Sequence, residues 1–161
     1  MGLIVRLKDF IQEMDVFGDE YRVFLNVRTG EFVVLSDEEL GAAEEGESLE
    51  DFPEWQRESI QKAGEVLFGD DYRELPSRFD IHEYAIMERF CYSVEDDKLR
   101  NRLLNSIRGR GAFRYFKDTI HEYGIVDTWY EYREQAFKEI ATEWLESHNI
   151  AYTDEEAENS V

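Results

Sequence analysis

The sequence predicts an α+β protein, mostly α: an N-terminal helix and β-hairpin followed by a C-terminal helical bundle of four or five helices. Three observations lead there. Two β-rich runs, YRVFLNV and FVVLS, flank a glycine-bearing turn near the N-terminus. From Pro53 onward the apolar residues recur at helical spacing. Only two prolines stand among 161 residues, so little interrupts helices.

Each element has its own signal. Leu7, Phe10, Ile11 and Met14 fall at helical spacing between charged residues, which predicts a helix over about residues 6 to 16. Phe17-Gly18-Asp19 should end it. The hairpin turns at Arg28-Thr29-Gly30-Glu31, where Gly30 supplies a positive φ. Its second arm is apolar on both faces: Phe32 and Val34 on one, Val33 and Leu35 on the other. A lone hairpin is marginal in water, so this one must pack on a helix, join a longer sheet, or pair with a second copy. Residues 37–51 carry eight acids and no base, and their composition predicts a solvated linker, the alternative being an acidic arm that folds back on the basic residues 98–117 or engages a basic partner. Trp55, Ile60, Ala63, Val66 and Leu67 mark the next helix, closed by Gly69-Asp70-Asp71.

Leu75-Pro76-Ser77 reads as a hinge into helices only. Asp80 is placed to cap the first, with Glu83 as its capping-box partner, and Ile86, Met87, Phe90 and Val94 form the inner stripe. Ser93 is placed to cap the second, with Leu99, Leu103, Leu104 and Ile107 inward. Gly109 and Gly111 break the chain, and a third helix follows with Phe113, Phe116, Ile120 and Tyr123 in its stripe. Asp127 caps a last helix to about Ser147, with Trp129, Ala136, Phe137, Ile140, Ala141 and Trp144 apolar. The boundaries that result are 1–36 for the helix and hairpin, 37–51 for the acidic linker, 52–150 for the helical domain and 151–161 for an acidic, frayed tail.

Charge is unevenly spread. Residues 98–117 hold seven bases and no acid, while the other residues hold 11 bases against 38 acids. A net charge of -20 favours solubility and opposes loose contact with nucleic acid or anionic lipid. The single cysteine, Cys91, excludes an intrachain disulfide framework and fits a reducing, cytoplasmic setting. The opening MGLIVRLKDF has too short an apolar run for a signal peptide, and no stretch approaches a membrane span.

The strongest chemical candidate is an anion site on Arg108, Arg110, Gly111, Arg114 and Lys117. The glycines allow close approach, the following helix presents free N–H groups, and arginine forks suit phosphate or carboxylate. The competing reading is that these bases pair with the chain's own acids and fix helix packing. The run is not a dinucleotide fingerprint, since the third glycine is missing and a helix precedes it. Ile-His-Glu-Tyr occurs at 81–84 and at 120–123, so a metal site across helices would use His82, Glu83, His121 and Glu122. The two copies lack paired-histidine helical spacing, which favours ordinary hydrogen-bonding roles. Cys91 reads as a small core residue, and Trp129, Tyr130 and Tyr132 as core aromatics.

The runs LPSRFDIHEYAIMERF, RGRGAFRYFKDTI, Trp129–Tyr130, Glu143–Trp144 and His148-Asn149-Ile150, with the hairpin ending TGEFVVLSDEE, resemble a bacterial family of conserved hypothetical proteins, uncharacterised protein family 0158. The resemblance covers most of the chain. It implies a small, acidic, cytosolic bacterial protein and transfers no activity and no catalytic residue.

The reading that follows is a non-enzymatic interaction or regulatory module with a protein partner, or self-association through the hairpin, and with no cofactor. The alternative is a phosphate, nucleotide or small-anion binder on the basic island, which admits an enzyme. The third is a mimic of nucleic acid, or a nucleic-acid-linked protein, for which direct binding through the basic island would work against the repulsive net charge and need low salt.

Overall fold

The computed structural model describes residues 3–16 and 20–154. In chain order the elements are β1 (Ile4–Arg6), α1 (Leu7–Val16), β2 (Tyr21–Asn26), β3 (Phe32–Ser36), α2 (Asp37–Glu45), a 3-10 turn (Leu49–Asp51), α3 (Glu54–Phe68) and β4 (Tyr72–Glu74). There follow α4 (Arg78–Ile81), α5 (Glu83–Ser93), α6 (Asp97–Ser106), α7 (Ala112–Glu122), α8 (Val126–Ser147) and β5 (Ala151–Thr153). The α+β, mostly α class is what the sequence predicts. The chain divides into two compact units, Met1–Arg78 with Ala141–Val161, and Phe79–Ile140.

In the first unit the hairpin joins a larger sheet. β2 pairs antiparallel with β3 on one side and β4 on the other. Val23 stands opposite Val34, Leu25 opposite Phe32, and Phe24 opposite Glu74. Gly30 has φ 83, the value the turn demands. The exposed-hairpin problem is met inside the unit: Phe24, Val33 and Leu35 pack with Leu40 of α2 and with Ala63 and Val66 of α3. Burying a side chain of this kind stabilises by about 1.5–3 kcal/mol. A second, two-stranded sheet pairs β1 with β5 in parallel, Val5 opposite Tyr152. Phe10 of α1 meets the Phe32 ring at 6.3 Å and the Trp144 ring at 5.1 Å.

Several local expectations differ from the structure. The acidic stretch expected as a linker carries α2 and the 3-10 turn. Ser36 and Glu39 form a reciprocal capping box, Gly46 ends α2 in the left-handed conformation, and Leu40 and Ala42 are buried. Those apolar residues give the helix something to dock, which composition alone hid. Gln56 of α3 donates to Glu38 at 2.6 Å and ties the two helices. Asp80 lies within α4, and the N-cap of α5 is His82 at φ 54. Ser93 is the last residue of α5 and donates to the Phe90 carbonyl. Asp96 caps α6 by accepting from Leu99 N–H at 2.9 Å. The expected tail begins with β5, because Asn149 takes a positive φ and redirects the chain after α8. Phe17-Gly18-Asp19 and residues 155–161 lie outside the described residues.

The second unit builds its core from rings. Phe90 of α5 meets Phe116 of α7 at 6.0 Å, and Trp129 and Tyr132 of α8 each at 5.3 Å; Phe116 meets Trp129 at 4.9 Å. These are edge-on contacts, the favoured geometry for such pairs. Tyr130, expected inside, is exposed.

Candidate functional site

The second unit has twelve acids and ten bases, a net charge of -2, so most of the chain's -20 resides in the first unit. The bases are concentrated at the junction of α6 and α7. Both Gly109 and Gly111 there have positive φ, 73 and 74. The bare Cα of Gly111 lies against the Tyr115 ring, where an added Cβ would approach to 3.1 Å. The left-handed conformation favours glycine at 111, and a side chain there would also have to shift the Tyr115 ring. Tyr84 of α5 secures the junction, donating to the Ile107 carbonyl at 2.9 Å while its ring meets Phe113 edge-on at 6.5 Å.

The sequence-predicted residues come together here. Arg108, Arg110, Gly111, Arg114 and Lys117 are all exposed. Among the described residues none of the four bases has an ion-pair partner; Arg114 lies 5.9 Å from the Tyr115 ring centre. Of the other three bases of the island, Lys98 is also exposed and without an ion pair among the described residues, whereas two behave differently. Arg100 bonds to Asp97 and to the Val94 carbonyl, and Arg102 pairs with Glu122 at 3.7 Å. Internal pairing thus accounts for Arg100 and Arg102 and leaves the bases from Arg108 to Lys117 open to solvent.

Sequence reasoning missed the rings at this surface. Phe113 was expected in the inner stripe, yet it is 44% exposed, as Tyr115 and Tyr84 also are to similar extents. Ala112, Phe116 and Ile120 fill the buried face of α7, and that leaves Phe113 beside it and Lys117 one turn on from Phe113. The first turn of α7 contains no acid, and Gly111 offers no side chain to cap it. Positive helix-end potential therefore adds to the guanidinium charges.

Three of the four residues named for a metal have other contacts. Glu83 accepts from Arg133 at 3.2 Å, Glu122 pairs with Arg102, and His82 packs on the Phe79 ring at 5.3 Å. Among the described residues no group of three or more His, Cys, Asp or Glu is placed to hold a metal ion. Cys91 is fully buried, and burial pushes its thiol up to about 11. No helix among the described residues is long and apolar enough to cross a membrane.

A family model described as "Uncharacterised protein family (UPF0158)" matches residues 1–160, and the chain belongs to that family. It is similar to UPF0158 protein PA5073 of Pseudomonas aeruginosa, 31% identical over 67 residues. That match covers 41% of this chain and 44% of the relative, less than half of each. No solved structure matches.

Proposed function

We propose that this member of UPF0158 is a non-enzymatic interaction module whose contact surface is the open end of the basic island, and that its partner is an acidic protein. The observation that carries the reading is the combination at one junction of four exposed, unpaired bases with three part-exposed rings, Tyr84, Phe113 and Tyr115. Arginine and tyrosine are, with tryptophan, the residues enriched where binding energy concentrates, and tyrosine rings lose little entropy on docking. A carboxylate-rich partner would gain forked hydrogen bonds from the arginines, with the rings excluding water around them. Complementary charge would set the association rate and make binding weaken with salt. A cytoplasmic location belongs to the same proposal, which the lone buried thiol of Cys91 supports.

A second reading is favoured by the start of α7, whose first turn has neither acid nor capping side chain. It makes the same junction a site for a small phosphate or carboxylate ligand. One pair of experiments separates the two. Co-purification from bacterial extract, comparing the chain with its Arg110→Glu/Arg114→Glu variant, should return a discrete acidic protein only with the unaltered chain. A thermal-shift panel of phosphate, nucleotides and small di- and tricarboxylates at matched ionic strength should leave the midpoint in place. A stable shift of several degrees for one small ligand, abolished in the variant, would replace the first reading with the second.

A further inference from the structure

The first unit contains a cleft of about 450 Å³ between the C-terminal end of α3 and the ends of β2 and β4. Gly64, Glu65, Phe68 and Gly69 line one side, and Asn26, Asp71 and Tyr72 the other. We propose that this cleft binds an alkylguanidinium or alkylammonium cation, the chemistry of an arginine or lysine side chain. The proposal is independent of the interaction surface on the second unit.

Three observations converge on a cation. The lining contains two carboxylates, Glu65 and Asp71, and no base. It also includes the last turn of α3, which has no basic residue, so the negative end of the helix dipole adds to the carboxylates there, and the nearest base of that helix is Lys62, one turn back. Two rings complete the lining, Tyr72 and Phe68, and Phe68 is 73% exposed. An exposed phenyl ring beside carboxylates suits a cation with an apolar stem, which covers the ring and places its charge on the acids.

The chain already shows these contacts on a small scale. Lys62 Nζ lies 6.0 Å from the Tyr72 ring centre and 3.4 Å from Glu65. Arg28 lies 3.4 Å from Asp71. The Arg28 pair is exposed and therefore weak, so an incoming cation can displace it. Lys62 is half-buried and is also held by Glu31 at 3.6 Å and by Tyr72, so a cation must join it or displace it against these contacts. Lys62 is the internal competitor of the ligand.

Gly64 supplies a further observation. It stands inside α3, where glycine is the least favourable residue after proline. Packing does not require it, since a Cβ built there meets nothing within 4 Å. The position keeps the wall of the cleft open. Gly69 differs, because a Cβ there would strike the Glu65 carbonyl at 2.6 Å.

The test is a titration followed by isothermal calorimetry and by amide chemical shifts at residues 64–72. The probes are agmatine and a blocked Ala-Arg-Ala tripeptide, with glutarate as the anionic control. Binding of agmatine would assign a free amine or guanidine, and binding of the tripeptide alone would assign a side chain on another protein. Gly64→Leu, which fills the cleft, and Phe68→Ala, which removes an exposed ring, should each weaken binding by about tenfold or more. Glu65→Gln/Asp71→Asn should do the same, while Glu44→Gln/Glu45→Gln, with equal charge removed from α2, should change it less than about twofold. Lys62→Met should tighten it. Retained melting of each variant guards against misfolding. The proposal is overturned if neither probe binds, if glutarate binds more tightly, if Gly64→Leu leaves affinity unchanged, or if the two charge-removal variants behave alike.

Discussion

Leu40→Ala tests whether the acidic stretch is a docked part of the first unit. Leu40 is 5% exposed and packs with Phe24, Val33, Leu35, Ala63 and Val66. Truncating a leucine so enclosed costs the lost transfer energy plus a cavity term, together about 2–5 kcal/mol. For a chain of this size each kcal/mol moves the midpoint by about 2–4 °C, so the expected fall is roughly 5–15 °C. Ser36→Ala should cost less, about 1 kcal/mol, because it removes only the hydroxyl that accepts from Glu39 N–H at 3.1 Å. Glu44→Gln/Glu45→Gln on the exposed side should change stability by less than about 0.5 kcal/mol. Urea unfolding followed by far-ultraviolet circular dichroism and tryptophan fluorescence measures all three. Hydrogen exchange on residues 37–45 localises the effect. A Leu40→Ala variant within about 0.5 kcal/mol of the parent, with α2 amides unprotected in the parent, would refute the docking and restore the linker.

Three further outcomes are expected. Arg110→Ala should leave the melting midpoint within about 1–2 °C of the parent, since the side chain is exposed and unpaired among the described residues; a fall of several degrees would show an internal carboxylate leaning on it. Gly64→Ala should stabilise by about 0.5–1 kcal/mol in a melting experiment, because a Cβ there meets open space in a helix interior. Cys91 sets a pH dependence: its thiol holds its proton to about 11 when folded, against 9.0 for an unperturbed thiol. The folded state therefore binds the proton more tightly, and the contribution is whole below pH 9 and lost as pH rises through 11. That loss amounts to about 2–3 kcal/mol and should be missing from Cys91→Val in unfolding titrations across the same range. Thiol reagents should accordingly react slowly with the folded chain at pH 8.

The parts of the fold written locally were legible. The hairpin follows from its two β-rich arms and from Gly30, and the helices of the second unit from their apolar spacing. α2 was missed because eight acids outweighed a shorter signal. Yet Ser36-x-x-Glu39, the apolar Leu40, Ala42 and Ala43, and the stop at Gly46 together spell a capped helix. The capping of α5 was misread for the opposite reason: Asp80 and Glu83 have the right spacing, but a left-handed His82 intervenes. The β1–β5 pairing joins segments nearly a chain length apart and leaves no local mark. At the basic junction the residues could be named from sequence, but not their exposure. Helical spacing put Phe113 on the inner stripe, and only the packing of Ala112, Phe116 and Ile120 turns it outward. The cleft beside Gly64 depends on how β2 and β4 meet the end of α3, which spacing along the chain does not report.

The most direct measurement places a photo-cross-linking residue at position 113 in the living bacterium, with position 58 of α3 as a control. If the basic junction is the contact surface, position 113 gives a discrete adduct with an acidic protein. That adduct disappears when Arg110 and Arg114 are both changed to Glu, and position 58 does not form it. Equal adducts from both positions, or an adduct at 113 indifferent to the charge reversal, would contradict the assignment.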